Sequence, residues 1–248
     1  TADASHVTAL AATGLSVRAI VALSQLIAFT SYQARVLAVL QLLNGVETLA
    51  EAQPRAPIAD GKSVTGWTAE SLNWNAWLST LNLDDATDAQ IAVLEESTPT
   101  AKTSPYYLLL VQEVEILRER SKLYNAIMYG PRGLRRADRE LGALATSRVN
   151  GCVYCASVHA QRYTQLSRRP EVVERIFTDG ITADLDERER AIVNFAQKLT
   201  QDVGRMQLAD LVPLRQLGLD DGDILDLANA IAVFAWANRL MLTLGEPA

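Results

Sequence analysis

The chain has 248 residues, of which 49% are hydrophobic and 21% charged, and its formal net charge is -6. This composition is typical of a globular protein that buries a sizeable core without a metal or disulfide. The acidic balance argues against a nucleic-acid partner, because phosphate binding requires a basic face. No secretory signal opens the chain, and Gln25, Gln33 and Arg35 interrupt the longest apolar stretch, which argues against a membrane span. We therefore expect a cytoplasmic protein.

Helical periodicity runs through nearly the whole chain, and no convincing strand alternation is visible, so the expected fold is all-α. A first helix over 4–10 ends before Gly14, and a longer helix starts after Ser16 as N-cap. Residues 50–66 lose the periodicity and gain Pro and Gly, which predicts a linker. The three tryptophans that follow are interpreted as core or interface packing: Trp67, Trp74 and Trp77. Further helices are predicted at 88–96, 105–112, 114–129, 134–149, 152–166, 170–178, 186–201, 207–217 and 221–243.

The N-terminal segment resembles the C-terminal one. A shift of 204 positions lays Gly14 over Gly218 without a gap. Identical pairs include Leu10–Leu214, Gly14–Gly218, Leu15–Leu219, Ile20–Ile224, Leu23–Leu227, Ile27–Ile231, Ala28–Ala232 and Arg35–Arg239. Residues 1–49 are therefore predicted to be the last two helices of a second, incomplete unit, joined by linker 50–66 to a complete unit at 67–248. If the repeat is real, either the chain is a fragment of a longer protein or a half-unit caps the full one. The alternative to a repeat is two amphipathic helices that look alike by composition.

The segment "VNGCVYCASVHA", residues 149–160, holds both cysteines and one of the two histidines of the chain. With Asn150 or Gly151 as helix cap, the residues Cys152, Cys155 and His159 fall at i, i+3 and i+7 and share one helix face. Cys152 would lie in the first turn, where free N–H groups favour a thiolate. The segment thus offers a reactive thiol, a second thiol and an imidazole that can move a proton.

Glu140 lies on the preceding predicted helix, beside the apolar stripe of Leu141 and Leu144. A partly buried carboxylate can act as a base near neutral pH. The alternative is a solvated residue among the charged neighbours Asp138 and Arg139, and periodicity alone favours that alternative.

The C-x-x-C motif has three other interpretations. A structural zinc site needs four ligands, and beyond this segment the chain offers only the remote His6, which we expect at the surface. A thioredoxin-like motif needs a preceding strand, whereas "ELGALATSRVNG" is helical in pattern. A pair of buried structural cysteines is the third interpretation. Both zinc and thioredoxin chemistry are disfavoured, and the structural pair stays open.

The stretch "ELGALATSRVNGCVYCASVHA" closely resembles the signature of the AhpD-like alkylhydroperoxidases, grouped with the carboxymuconolactone decarboxylases. Glu140, Cys152, Cys155 and His159 fit every interval of that signature. The stretches "SPYYLLL", "YNAIMYGPRGL" and "WANRLMLTLGEP" resemble the peroxidase-related subgroup. The resemblance covers roughly residues 67–248 and implies an all-α AhpD-like bundle that assembles as a homo-oligomer, commonly a trimer or hexamer.

The resemblance implies reduction of a hydroperoxide. Cys155 would be the attacking thiol, Cys152 the more exposed resolving thiol, and Glu140 with His159 the proton relay. The oxidised pair would be reduced by an external dithiol, such as a lipoylated or thioredoxin-like partner, and no haem, flavin or metal cofactor is implied. The decarboxylase branch is disfavoured, because its chemistry does not require a dithiol.

Tyr154 departs from the family pattern, in which the best-known members place a second histidine between the cysteines. A phenol cannot replace that base at neutral pH, although it can donate a hydrogen bond. We therefore expect weaker peroxidase activity or a different proton path. Besides the thiol peroxidase, two hypotheses stay open: a disulfide reductase or redox-sensing oligomer that uses the same pair, and a helical assembly module with inert, buried cysteines.

Overall fold

A computed structural model describes residues 3–47 and 64–248. Apart from its last three residues, the predicted linker 50–66 lies outside the described residues, and the domain boundaries stay predictions. The predicted all-α fold is confirmed. The helices are α1 (Ala4–Ala12), α2 (Val17–Leu43), α3 (Asp88–Ser97), α4 (Pro105–Leu110), α5 (Val114–Tyr129), α6 (Arg136–Asn150), α7 (Val153–Ser167), α8 (Pro170–Asp179), α9 (Glu187–Gln201), α10 (Val212–Gln216) and α11 (Asp221–Leu244).

Helix α11 is the central element of the bundle. Asp220 caps its start by accepting from the backbone N–H of Asp223. Most of its apolar residues are then buried against α2, α6 and α9, from Ile224 to Leu244. A helix that is apolar on every face is stable only where neighbours cover every face. This is why α11 can present residues to the core on one side and to the candidate site on another.

Helices α2 and α11 pack against each other, and two hydrogen bonds between them are reciprocal. The Tyr32 hydroxyl donates to Asn229 Oδ1 at 2.8 Å, and Trp236 Nε1 donates to Gln25 Oε1 at 2.8 Å. The same shift that aligns the two helices in sequence maps Tyr32 to Trp236 and Gln25 to Asn229. The contact therefore has the local two-fold symmetry expected of two copies of one helix.

Helices α6 and α7 form a tight antiparallel pair that carries the candidate site. Gly151 joins them with φ of 77°, a left-handed conformation that glycine adopts without steric cost. Gly142 brings α6 close to α11, because a Cβ there would stand 2.9 Å from the Leu227 side chain. This close approach of α6 to α11 positions the inner face of α6, which carries Glu140, against α7.

Two details differ from the sequence prediction. Strands β1 (Trp74–Ala76) and β2 (Gly245–Pro247) pair antiparallel, and three residues each are too few to show alternation. The helix predicted at 207–217 is a 3-10 turn over Leu208–Leu211 followed by the short α10. Its Pro213 lacks an N–H and fits only a first helical turn, so it separates the two pieces.

By length and composition, the described helices α2 and α11 are both apolar enough to cross a membrane. Helix α11 is the core helix of the bundle, with 78% of its most apolar window buried. Helix α2 has only 28% of that window buried, and it leaves Leu26 and Ile27 more than half exposed. The apolar character of α11 is thus explained by the core, and that of α2 only in part.

Candidate active site

A cavity of about 670 Å³ opens between α5, α7 and α11, beside the cysteine segment. Four residues of α7 at helical spacing form one of its walls: Cys155, Val158, His159 and Arg162. Arg120 and Tyr124 of α5 line another wall, and Phe234 of α11 closes it near His159. A thiol and an imidazole one helical turn apart therefore face a space large enough for a small organic molecule.

Glu140 and His159 form a buried pair. Glu140 Oε2 lies 2.6 Å from His159 Nδ1, and their side chains are 0% and 3% exposed. Arg136, one turn before Glu140, approaches the other carboxylate oxygen at 3.4 Å. The predicted contact between these residues is present, and the alternative of a solvated Glu140 is wrong. Because Nδ1 is held by the carboxylate, Nε2 is the ring nitrogen that can exchange a proton in the cavity.

Both cysteines are free and buried, with Cys152 2% and Cys155 5% exposed. The expectation that Cys152 is the more exposed thiol is therefore wrong. Cys152 is the N-cap of α7 rather than a helical residue, so it leaves the stripe that Cys155 and His159 share. Only Cys155 and His159 of the three residues line the cavity.

The Cys152 thiol is not activated by the start of α7. Burial, together with a hydrogen bond to the Cys155 sulfur, raises the pKa of Cys152 well above its ordinary value, although the Asn238 side chain acts in the opposite direction. The predicted thiolate-favouring position is thus wrong in direction, because desolvation outweighs the helix dipole. Cys152 stays a neutral thiol at neutral pH, within reach of Cys155.

Tyr154 lines the cavity beside Cys155 and is half-buried. Burial raises its pKa above the ordinary value of 10, and the neighbouring cysteine sulfurs act in the same direction. The phenol is therefore neutral at neutral pH and can donate a hydrogen bond to a bound oxygen but cannot act as a base. This agrees with the expectation that Tyr154 does not replace a histidine.

Two buried polar residues at the site escaped the sequence analysis. Arg120 lies 4% exposed against the cavity, where it donates to the Tyr106 hydroxyl at 2.9 Å. Asn238, fully buried, donates to Ser147 Oγ at 3.1 Å and stands beside Cys152. Arg120 has a signal in the sequence, since it falls at helical spacing with Leu117, Tyr124 and Met128 on the buried face of α5. Asn238 has no such signal.

The remaining sequence candidates lie elsewhere. His6 is exposed and bonds Asp3 at the start of α1, as expected of a surface residue. Trp74 packs edge-on against Tyr106, and Trp67 stacks on Phe177, so both contribute packing. Within residues 3–47 and 64–248, no group of three or more His, Cys, Asp or Glu side chains could hold a metal ion.

Comparison with known proteins identifies the central helices. The carboxymuconolactone decarboxylase family matches residues 115–198, which contain Glu140, Cys152, Cys155 and His159. No curated protein matches the chain.

Two solved structures are similar to it over most of their own length. One is described as alkylhydroperoxidase AhpD core, an uncharacterized peroxidase-related protein from Ralstonia eutropha JMP134. It is 27% identical with a TM-score of 0.59, over 67% of this chain and 88% of that one. The other, an uncharacterized peroxidase-related protein from Silicibacter sp. TM1040, is 28% identical with a TM-score of 0.57, over 68% and 92%. Residues 115–198 thus match the carboxymuconolactone decarboxylase family, and the chain is similar in fold to AhpD-like, peroxidase-related structures over two thirds of its length.

Proposed function

We propose that this protein reduces organic hydroperoxides with its two cysteines, Cys155 being the thiol that attacks. The observation that carries the proposal is the cavity that brings Cys155 and His159 together, with Glu140 holding the far side of the imidazole. The similarity to peroxidase-related structures supports the same reaction class. A buried thiol at the wall of such a cavity is accessible to small oxidants and protected from large ones.

In the first step His159 Nε2 takes the proton of the Cys155 thiol, and Glu140 stabilises the imidazolium that forms. The thiolate attacks the terminal oxygen of the hydroperoxide, so that an S–O bond forms and the O–O bond breaks. The departing alkoxide takes a proton from His159 and leaves as the alcohol. Cys155 is oxidised to a sulfenic acid while the hydroperoxide is reduced.

In the second step Cys152 attacks Cys155. Cys152 is the N-cap of α7 and lies beside Cys155, so a disulfide between the two sulfurs would close at the start of this helix. The Cys152 thiol loses its proton, the S–O bond of the sulfenic acid breaks, and water leaves. Because the folded state keeps Cys152 protonated, this thiol does not compete with Cys155 for the hydroperoxide.

The reductant that fits best is a small dithiol or a dithiol on a flexible arm, such as a lipoyl group. Both sulfurs are buried, and a reductant would approach them through the cavity beside Cys155. A thioredoxin-like protein carries its thiol on its own surface and needs an exposed disulfide. Two electrons and two protons from the dithiol restore both thiols, and the dithiol becomes a disulfide.

The test is hydroperoxide consumption by the purified protein with dihydrolipoamide as reductant. We expect turnover by the wild type and its loss in Cys155→Ser. In the absence of dihydrolipoamide, Cys152→Ser should complete one stoichiometric oxidation and stop. Full turnover by Cys155→Ser would refute the proposal. Reversible formation of the Cys152–Cys155 disulfide without peroxide consumption would favour the alternative, a disulfide reductase or redox sensor.

A further inference from the structure

Among residues 3–47 and 64–248, Arg120 is a buried cation without a carboxylate partner. Its guanidinium is hydrogen-bonded to the hydroxyls of Tyr106 and Tyr107, and its Nε atom has no partner among the described residues. Within the described part of the chain, no Asp or Glu oxygen lies within 4 Å of it, although most arginines of the bundle have one. Burial of an unpaired charge costs several kcal/mol, and folded proteins normally offset that cost with an opposite charge.

The cavity that Arg120 borders is positive on every side that carries charge. Arg136 and Arg162 also line it, and among the described residues of its wall none is acidic. Arg162 lies over the Tyr129 ring at 5.9 Å. Arg136 is paired with Glu140, which is already bonded to His159. A cavity lined by one sign of charge concentrates ligands of the opposite sign, even in a protein with net charge -6.

We propose that this cavity selects hydroperoxides that carry a carboxylate, and that Arg120 binds the carboxylate. The inference rests on the proposed function and names its substrate class. A planar guanidinium presents paired donors that match a carboxylate. The apolar residues of the wall, such as Val158, Phe234 and Met241, would contact the hydrocarbon part of the substrate. The peroxide group would then meet Cys155.

The alternative role for Arg120 is to stabilise the Cys155 thiolate, and the two roles have different kinetic signatures. An anion-binding residue affects only substrates with a carboxylate and acts mainly on KM. A residue that stabilises the thiolate affects every hydroperoxide equally and acts on kcat.

The experiment compares linoleic acid hydroperoxide with the hydroperoxide of its methyl ester in wild type, Arg120→Met, Arg120→Lys and Arg118→Met. Arg118 is the matched control, since it lies on the same helix but pairs with Glu96 and Glu115 outside the cavity. In Arg120→Met we expect KM for the acid to rise about tenfold to hundredfold, with values for the ester within about twofold of wild type. Arg120→Lys keeps the charge, so its KM for the acid should lie between the values of wild type and Arg120→Met. Equal losses for acid and ester in both Arg120 variants would overturn the proposal.

Binding of decanoate and of decanol, measured by calorimetry, separates this inference from the proposed function because neither compound is a peroxide. We expect wild type to bind decanoate with an affinity that falls as salt rises, and Arg120→Lys to bind it more weakly. If the protein binds decanoate but consumes no peroxide, the anion site is supported and the proposed peroxidase function is refuted. Peroxide turnover by a wild type that binds decanoate no better than decanol would overturn the anion site alone.

Discussion

Replacement of Glu140 by Gln tests the proton relay. The amide has the shape of the carboxylate but no charge, so it cannot stabilise the imidazolium that forms when His159 takes the thiol proton. The hydrogen bond is 2.6 Å long, and both side chains are almost fully buried, so water cannot take the place of the carboxylate. Glu140→Gln should therefore slow the reaction of Cys155 while leaving the cavity in place.

The magnitude follows from the value of a buried hydrogen bond to a charged group, about 1.5–3 kcal/mol. If that stabilisation is needed mainly in the transition state, its loss lowers kcat/KM about 10-fold to 150-fold. The assay is stopped-flow consumption of hydroperoxide by pre-reduced protein, which reports the Cys155 step without the reductant.

Glu189→Gln is the matched control. Glu189 is also a buried carboxylate, bonded to the Tyr163 hydroxyl at 2.7 Å, but it lies outside the cavity. The Glu189→Gln variant should be less stable than the wild type, but each folded molecule should consume hydroperoxide at the wild-type rate. A Glu140→Gln protein that reacts within about twofold of wild type would refute the relay.

Three further outcomes are expected. Iodoacetamide at neutral pH should label Cys155 faster than Cys152, because burial raises the pKa of Cys152, and peptide mapping that finds Cys152 labelled first would contradict this. Gln25→Leu should lower the free energy of unfolding by about 1–3 kcal/mol in urea titrations, because it leaves the buried Trp236 N–H without its acceptor. The control is Gln33→Leu at an exposed position of the same helix, and equal losses of stability in both variants would contradict the prediction. Burial raises the pKa of Tyr106 and Tyr124 above 10, so at high pH the folded state keeps protons that the unfolded chain releases. The stability that these phenols contribute is present below about pH 10 and should be lost as the pH rises further. An unchanged urea midpoint between about pH 8 and about pH 11 would count against this effect of the buried phenols.

Periodicity was enough to predict most of the helices. The bounds of α5 agree to the residue, and those of α6 to α9 to within two, because apolar residues recur on one face and Pro or Gly mark the ends. Strands of three residues and a helix divided by Pro213 carry too little pattern to be predicted. Local signals thus suffice for long helices and fail where a few tertiary hydrogen bonds decide the structure.

The candidate site was predicted only in part. Helix spacing explains why Cys155 and His159 share a face, but their contact with Glu140 followed from the family resemblance, since no local rule brings α6 and α7 into register. The burial of Cys152 could not be foreseen, because the N-cap position and the packing of α11 decide it together. Arg120 was overlooked within the charged run "RERSK", where its helical phase placed it on the buried face.

The account depends most directly on which sulfur first receives the peroxide oxygen. Cys152→Ser removes the second thiol and should trap the first intermediate, so the measurement is mass spectrometry of that pre-reduced variant after one equivalent of hydroperoxide. We predict one added oxygen on Cys155 in Cys152→Ser, and no oxidation of Cys152 at a comparable rate in Cys155→Ser. Oxygen found on Cys152 of Cys155→Ser at the wild-type rate, with Cys155 of Cys152→Ser unmodified, would contradict the account.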